Sequence, residues 1–405
     1  MATVLISGAS VAGPALAFWL HRAGHDVTVV ERSRAVRDGG YPIDLRGVAV
    51  DAVERMGLLD QVEAARTGTR RITFVDGRGR RIAALDPERL VGNPDTRAVE
   101  LPRGDLTRVL FEATRHDVEY VFSDSIASLE QDASGVRVTF ERSAPRTVDL
   151  VVGADGLHSN VRRHVFGPEE RYRRDLGFTY AGFSVPNTFG LDREVVMSNI
   201  PGLAATLYAV RDLPQVTALL AFAGPAPAVD RHDVDGQQAL VTEAFAAMGW
   251  QVPGLLALMR RADDFYFDTV SQIRMPEWTR GRVALVGDAG YAPSFLTGQG
   301  TSLAVVGAYA LAGALGAGFD VAGALPAYER TMRGFAERNQ GIAESGADLV
   351  VPSTTAALWK RNGLLRLAPL AARLGLGDRM TADVATSLRL DEVPVPIGSG
   401  VAAGG

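Results

Sequence analysis

Residues 282–300 read RVALVGDAGYAPSFLTGQG. The apolar run at 283–286 is typical of a buried strand, and Gly287-Asp288 ends it. A turn of small residues then leads to Gly298-Gln299-Gly300, and the alanine-rich stretch at 301–315 predicts an apolar helix. A carboxylate beside a glycine turn can accept hydrogen bonds from hydroxyl groups, and the amides at a helix start favour negative charge. The stretch therefore predicts a site for a polar ligand.

The composition excludes several classes of protein. With 405 residues, 47% of them hydrophobic, the chain is long enough for more than one domain. A net charge of -5 gives no basic excess for nucleic acid or for an anionic membrane. The absence of cysteine excludes disulfides and thiolate metal sites, and the six histidines have no metal-ligand spacing. Glycine and proline interrupt the uncharged segments at 1–20 and 289–319, so we expect a cytoplasmic protein without a membrane span.

A second motif lies near the N-terminus. An apolar strand is predicted at 3–7, followed by the turn GASVAG at 8–13, a helix, and a second strand at 26–30. With Glu31 at the end of that strand, the pattern is the βαβ fingerprint of a Rossmann dinucleotide site. We expect the helix start to bind the pyrophosphate and Glu31 to bind the adenosine ribose. The cofactor contacts predicted here are Gly8, Ser10, Val11, Ala12, Gly13, Glu31 and Arg32.

A third motif, DLVVGADGLHSNVR, covers residues 149–162. A strand at 150–152 leads into the turn Gly153-Ala154-Asp155-Gly156, and a helix carrying Arg162 follows. The three motifs resemble those of the group A flavoprotein monooxygenases, the aromatic-hydroxylase-like enzymes, and they occur in that family's order. Within the family the pattern is closest to the tetracycline-inactivating monooxygenases. The resemblance spans nearly the whole chain.

This resemblance implies non-covalent FAD as the cofactor. In the family, the carboxylate at the position of Asp288 holds a ribityl hydroxyl, and the turn matching 298–300 lies against the N1/O2 edge of the isoalloxazine. In the family, the motif that matches the one around Asp155 touches the FAD pyrophosphate and lies beside the path of the nicotinamide. The chain departs from many members at one position, because Tyr291 stands where they have histidine.

Two further segments match the family. The stretch RDGGYPIDLR at 37–46 is similar to the flavin-proximal loop, in which the position of Asp44 faces the flavin and that of Arg37 helps to dock the nicotinamide. A solvated loop arginine is an equal alternative for Arg37, and a plain helix-start arginine is the alternative for Arg103, which matches a contact to the ribityl-phosphate region. The cofactor contacts implied by the resemblance are Asp44, Arg103, Asp155, Gly287, Asp288, Gly298, Gly300 and Thr301. No catalytic residue and no metal ligand is assigned.

The strand-like runs between 176 and 273 lack alternating helices, which suits an antiparallel sheet placed as a second layer. The predicted fold is α/β, or α+β overall, with a Rossmann-like FAD-binding domain, an antiparallel-sheet substrate domain and C-terminal helices. The predicted limits are 1–175 and 274–350 for the FAD-binding domain, 176–273 for the substrate domain, and 351–405 for a C-terminal helix and a tail frayed from Val393 onward. The candidates to line the substrate pocket, about half of which should face it, are Phe178, Tyr180, Phe183, Met197, Tyr208 and Phe222.

The resemblance also implies an activity. The expected enzyme is an FAD-dependent monooxygenase that uses NADPH or NADH and O₂ to hydroxylate or otherwise oxygenate an aromatic or polyketide-like small molecule, through a flavin C4a-hydroperoxide. Two alternatives remain open: a flavin oxidoreductase that inserts no oxygen, and a flavoprotein that sequesters a reactive intermediate without turnover. A monomer or a homodimer is expected.

Overall fold

A computed structural model describes residues 1–36, 40–87, 97–211, 213–316, 320–373 and 388–396. The strands are β1 (Thr3–Ser7), β2 (Asp26–Glu31), β3 (Pro42–Arg46), β4 (Arg71–Val75), β5 (Arg81–Leu85), β6 (Ala98–Pro102), β7 (Glu119–Phe122), β8 (Ile126–Gln131), β9 (Val136–Phe140), β10 (Arg146–Val148), β11 (Leu150–Gly153), β12 (Arg173–Pro186), β13 (Glu194–Ile200), β14 (Leu203–Ala209), β15 (Gln215–Ala223), β16 (Tyr266–Ile273), β17 (Thr279–Arg280) and β18 (Val283–Leu285).

The described helices are α1 (Ala12–Arg22), α2 (Val48–Arg55), α3 (Leu59–Ala64), α4 (Arg103–Glu112), α5 (Asn160–Val165), α6 (Val234–Ala244), α7 (Val252–Met259), α8 (Asp288–Tyr291), α9 (Gly300–Gly316), α10 (Val321–Val350) and α11 (Thr355–Arg373). Three short 3₁₀ turns lie at Glu169–Arg171, Phe295–Thr297 and Leu390–Glu392. Within the described residues, no helix has both the length and the apolar character needed to cross a bilayer.

The first layer is a six-stranded sheet in the order β17-β18-β11-β1-β2-β7. Its strands from β18 to β7 are parallel, and β17 is antiparallel at one edge. The apolar runs of β1 and β11 are buried because helices cover a parallel sheet on both faces. The helix α9 packs against α1 and α10, so the Rossmann-like layer predicted from the sequence is confirmed.

A second layer is a seven-stranded sheet in the order β16-β12-β15-β14-β13-β4-β5. Its pairs are antiparallel except for β13 and β4, which run parallel. One face packs on α6 and α7, and the other face carries Tyr180 and Leu219 toward Tyr41 and Phe295. The antiparallel layer was expected between 176 and 273, but β4 and β5 extend it from the N-terminal part of the chain. The domain limits given above stay a prediction.

The C-terminal segment differs from the frayed tail predicted from Val393 onward. Val393 is buried, and the carbonyl of Pro394 lies so close to α9 that a Cβ on Gly313 would be 2.1 Å from its oxygen. Leu390 is also part of the main core. Only glycine lets another backbone approach a helix so closely. Gly313 therefore allows the segment at 388–396 to dock on α9. Residues 397–405 lie outside the described part.

Helix α9 depends on a second close approach. Tyr291 is buried beneath the helix, and its hydroxyl lies 2.9 Å from the hydroxyl of Tyr328, which donates to the carbonyl of Leu285 at 2.9 Å. A Cβ on Gly307 would be 2.0 Å from the Tyr291 hydroxyl. Tyr291 therefore fills a site that needs glycine opposite it.

We predict that Gly307→Ala lowers the free energy of unfolding by about 1–3 kcal/mol, because the added methyl group overpacks the core against Tyr291. The matched control is Gly341→Ala on α10, where no atom lies within 4 Å of the new methyl group. The control should raise stability by about 0.5–1 kcal/mol, the difference in helix propensity. Urea denaturation measures both changes, and equal stability of the two variants would contradict the packing described here.

Candidate functional site

The turn between β1 and α1 is built for close backbone contact. Gly8 has φ +109°, and a Cβ there would be 2.4 Å from the carbonyl oxygen of Ala154. A Cβ on Gly13 would be 1.9 Å from the carbonyl oxygen of Gly8. Helix α1 follows at Ala12 without a side-chain cap, and Val11 and Ala12 are buried. The positive end of α1 is therefore available to an anionic group such as a phosphate.

Two charged side chains are fixed beside this turn. Glu31 accepts hydrogen bonds from the backbone amides of Ala9 at 2.8 Å and Ser33 at 2.9 Å. Arg103 donates to the hydroxyl of Ser10 at 2.9 Å. Arg103 begins α4, so the first motif and the start of α4 form one site. Arg32 is exposed beside Glu31, and its contact to a cofactor stays a prediction.

Asp155 has a structural role that the sequence analysis did not predict. Its carboxylate accepts hydrogen bonds from the Ser159 hydroxyl at 2.5 Å and from the backbone amides of Asn160 at 2.8 Å and Val161 at 3.1 Å. Burial raises the pKa of Asp155 above its ordinary value, because its effect is larger than the opposite effect of these hydrogen bonds. The carboxylate therefore holds the start of α5, and any contact of Asp155 with a cofactor stays a prediction. The four-residue spacing between Asp155 and Ser159 was the feature of the sequence that could have indicated this role.

Arg162 links this third motif to the stretch at 282–300. The guanidinium is fully buried and donates to the carbonyl oxygens of Ala289 at 2.9 Å and Leu157 at 2.6 Å, and to Glu169 at 2.7 Å. Ala289 is the second residue of α8, directly after Asp288. Two motifs that lie more than 100 residues apart in the chain are thus fixed to each other by one side chain.

The carboxylate of Asp288 receives no hydrogen bond from any residue that the structure describes. Burial raises its pKa, while the positive charges of Arg103 and Arg162 lower it. Gly287 precedes it with φ +67°, and a Cβ on Gly300 would be 3.5 Å from its Oδ1. Asp288 is half-buried, so its unpaired carboxylate remains open to hydrogen bonds from a ligand that supplies hydroxyl groups.

Asp44 lies on the other side of the same turn. Its Oδ2 would be 3.0 Å from a Cβ on Gly298, and it accepts a hydrogen bond from Arg46 at 2.9 Å. The backbone amide of Arg46 donates to the Ser302 hydroxyl on α9 at 3.1 Å, which fixes β3 to that helix. Asp44, Gly298, Gly300 and Asp288 therefore lie around one turn, and we call the region that they border the cleft. Thr301 follows Gly300 as the second residue of α9.

Glu100 and Asp44 form a pair of neighbouring carboxylates. The two residues are direct cross-strand partners in the β3–β6 ladder, and Glu100 accepts hydrogen bonds from the hydroxyls of Thr67 and Thr69. Burial raises the pKa of Glu100, and the negative charge of Asp44 raises it further. Burial is the main reason why the pKa of Tyr208 is raised, and the negative charges of Glu100 and Asp44 raise that pKa further. The sequence analysis did not single out Glu100, since no local pattern marks it.

The second layer covers this cleft with aromatic rings. Tyr180 lies 4.7 Å from Phe295 and 5.7 Å from Tyr266 between ring centroids, and Tyr41 lies 6.4 Å from Phe295. Of the six candidates for the pocket, Phe178 and Tyr180 belong to the cluster facing the first layer, and Tyr208 lies beside Glu100 and Asp44. Phe183 and Phe222 pack on the opposite face of the sheet, against α6 and α7. Met197 shares the face of Tyr208 but packs with Phe74 and Leu85 beside α11. Tyr41 and Tyr266 are additional cleft residues that the sequence analysis did not list.

Comparisons with known proteins agree with this geometry. A family model described as "FAD binding domain" matches residues 1–187. A "Flavin-dependent monooxygenase" from an unknown prokaryotic organism is 40% identical over 339 residues, which cover 84% of this chain and 88% of that protein. The chain belongs to the group A flavin-dependent monooxygenase family. An uncharacterized protein of Mycobacterium tuberculosis (strain ATCC 25618 / H37Rv) is 48% identical over 344 residues, covering 84% of this chain and 92% of that protein.

A solved structure supports the same assignment. The crystal structure of tetracycline destructase Tet(55) superposes with a TM-score of 0.82 at 35% sequence identity, and the match covers 96% of this chain and 97% of that chain. The family resemblance and the fold class predicted from the sequence are therefore confirmed. The assignment of individual cofactor contacts stays a prediction, and Arg37 lies outside the described residues.

The residues of this family member fit FAD. The uncapped start of α1 suits the pyrophosphate, and the unpaired carboxylate of Asp288 suits ribityl hydroxyls. Gly298 has φ +63°, and a Cβ there would crowd Asp44 at 3.0 Å, so glycine is favoured at the turn that the resemblance places against the isoalloxazine. We therefore treat Gly8, Asp288 and Gly298 as the parts of the site that best match FAD.

A charged network borders the aromatic cluster. His158 lies 3.0 Å from Glu169 through Nδ1 and 3.0 Å from Asp268 through Nε2, and Asp268 accepts a hydrogen bond from Tyr266 at 2.8 Å. Burial lowers the pKa of His158, but the hydrogen bonds to Asp268 and Glu169 outweigh it and raise the pKa to about 9. Protonated His158 thus connects the third motif to β16 of the second layer.

We predict that Asp288→Ala weakens FAD binding roughly tenfold to a hundredfold, because a charge-assisted hydrogen bond contributes about 1.5–3 kcal/mol. The matched control, Asp44→Ala, should weaken binding less, since Asp44 is already paired with Arg46. Titration of FAD into each apo-protein measures both affinities. If Asp288→Ala bound FAD as tightly as the wild type, the role given to its carboxylate would be wrong.

We also predict a pH-dependent stability from His158. Because its folded pKa of about 9 lies above the unfolded value of 6.5, its contribution is complete below pH 6.5 and is lost as the pH rises through 9. At pH 6 the free energy of unfolding of the wild type should exceed that of His158→Gln by about 1–3 kcal/mol, a range that allows for the partial exposure of the side chain. Above pH 9 this difference should disappear. Urea denaturation across this range measures the difference, which a structural role independent of charge would leave constant.

Proposed function

We propose that this protein uses FAD, NADPH or NADH, and O₂ to hydroxylate or otherwise oxygenate an aromatic or polyketide-like small molecule. The observation that carries the proposal is the aromatic cover of the cleft, in which Tyr180 and Phe295 pack over the turn that leads to Gly298. Flat, electron-rich rings pack well against such walls. The name of the similar tetracycline destructase supports a polyketide-like substrate.

The protein's own residues would bind and orient the reactants. Bound FAD supplies the redox and oxygen chemistry after reduction by the nicotinamide. The start of α9 at Gly300 presents partial positive charge, which stabilises negative charge developing at the adjoining edge of the cleft. The second layer, through Tyr180 and Leu219, limits the access of water to the cleft. We assign no catalytic acid or base.

The nicotinamide is proposed to bind only transiently. The sequence contains one βαβ dinucleotide fingerprint, at residues 3–31, and FAD accounts for it. NADPH or NADH must then approach through the cleft and leave before oxygen reacts. Reduction that waits for the substrate avoids wasteful release of hydrogen peroxide, so consumption of the nicotinamide should depend on the substrate.

We predict slow NAD(P)H oxidation by the purified protein alone and a sharp increase with a phenolic or polyketide-like substrate. Under ¹⁸O₂ the product should gain one labelled oxygen atom, because one atom of O₂ is inserted. Absorbance at the nicotinamide band and mass spectrometry of the product measure the two quantities, with ¹⁶O₂ as the control.

Two outcomes would contradict this proposal. A substrate that is consumed with NAD(P)H but gains no label would indicate a flavin oxidoreductase without oxygen insertion. A compound that binds tightly and never stimulates NAD(P)H oxidation would indicate a flavoprotein that sequesters its ligand.

A further inference from the structure

The turn from Ala292 to Gln299, which joins α8 to α9, is strained. Ser294 has φ +85° and ψ 147°, a region that residues with a Cβ rarely occupy. Gln299 is fully buried, and neither polar atom of its amide side chain has a hydrogen-bond partner among the described residues. Strain and a buried unpaired amide both disfavour this conformation. Contacts from outside the turn must therefore maintain it.

Two buried glutamines supply these contacts. Gln272, in β16, donates from Nε2 to the carbonyl oxygens of Pro293 at 2.9 Å and Gln340 at 2.7 Å. Gln340, in α10, donates from Nε2 to the carbonyl oxygen of Ala292 at 3.3 Å. Both side chains are almost fully buried. The carbonyl groups of the two residues directly before Ser294 are thus held by side chains from two other elements.

The amide orientation within this glutamine pair is itself fixed. The Oε1 of Gln272 accepts a hydrogen bond from Arg274 at 2.8 Å, so its Nε2 points to Pro293. The Nε2 of Gln340 also donates to the carbonyl oxygen of Ile273 at 2.8 Å, and the backbone amide of Ile273 donates to Ala292 at 3.1 Å. The pair therefore anchors the turn to the end of β16 through several hydrogen bonds.

The strained turn leads directly into the cofactor cleft. It carries Phe295, which packs on Tyr180, and it continues into Gly298 and Gly300, which lie against the carboxylates of Asp44 and Asp288. A change at Ser294 would therefore move the backbone on which a bound cofactor rests. Neither Gln272 nor Gln340 borders the cleft in the contacts described above.

We propose that Gln272 and Gln340 are positioning residues that hold the turn at 292–299 in its strained conformation and so preorganise the FAD site. The inference rests on FAD binding against this turn, and it does not require the oxygenation reaction. Without the two amides, the turn would relax in the free protein, and FAD binding would have to restore the strain. The glutamines would thus act on FAD affinity through Ser294.

A double-variant experiment tests this coupling. Gln272→Leu should weaken FAD binding roughly tenfold, because two buried hydrogen bonds are lost. Adding Ser294→Gly should restore most of the affinity, since glycine adopts positive φ without strain. The matched control is Ser294→Ala, which removes the hydroxyl but keeps the Cβ and should restore nothing. Titration of each apo-protein with FAD measures the affinities, at a temperature well below the thermal unfolding midpoint of that variant.

A second control separates positioning from general stabilisation. Gly341→Ala, an exposed substitution on α10, should raise the unfolding midpoint of the Gln272→Leu protein without restoring FAD affinity. If Gln272→Leu does not fold, Gln340→Met is tested with the same partners. Unchanged FAD affinity in the glutamine variant, or equal rescue by glycine, alanine and the α10 control, would overturn the proposal. Because only FAD affinity is measured, the result is independent of whether the protein oxygenates a substrate.

Discussion

The parallel ladder of β1, β11 and β18 is the constraint on which the site depends. Ser7 pairs with Gly153, and Gly153 pairs with Leu285, so the three strands end at the same level. Each strand leads at its carboxyl end into one of the three motifs, although Ser7 and Leu285 lie more than 270 residues apart in the chain. A Cβ on Gly153 would be 2.7 Å from Leu285, which shows how closely the strands and α5 approach. The crevice beyond the strand ends is where open α/β sheets bind ligands.

Local sequence patterns predicted this layer well. The strand, the glycine turn and the start of α9 at Gly300 follow from residues 282–300, and the βαβ unit follows from residues 3–31. Both rest on hydrophobic runs and on glycines whose positive φ or close contacts exclude other residues, as at Gly8 and Gly287. The antiparallel character of the second layer was also predictable, because its strands follow one another without helices.

The remaining features depend on contacts between distant residues and leave no local pattern. The pairing of β4 with β13 joins segments that are more than 100 residues apart. The hydrogen bond between Tyr291 and Tyr328, and the bond from Gln272 to Pro293, likewise form only after the helices have packed. Asp155 shows a different difficulty, since its motif was interpreted only as a cofactor contact, while its carboxylate also holds the start of α5.

The distribution of hydrogen bonds separates the scaffold of the site from the part left for a ligand. The carboxylate of Asp155 and the two terminal nitrogens of Arg162 form hydrogen bonds within the protein and fix the turns to one another. The carboxylate of Asp288 instead has no partner among the described residues. The turn at 292–299 is strained at Ser294 and holds the unpaired amide of Gln299, which lowers the stability of the free protein. A ligand that forms hydrogen bonds with these groups binds the folded protein and not the unfolded chain. Its binding therefore stabilises the folded state. Part of this cost is therefore located where FAD is expected to bind.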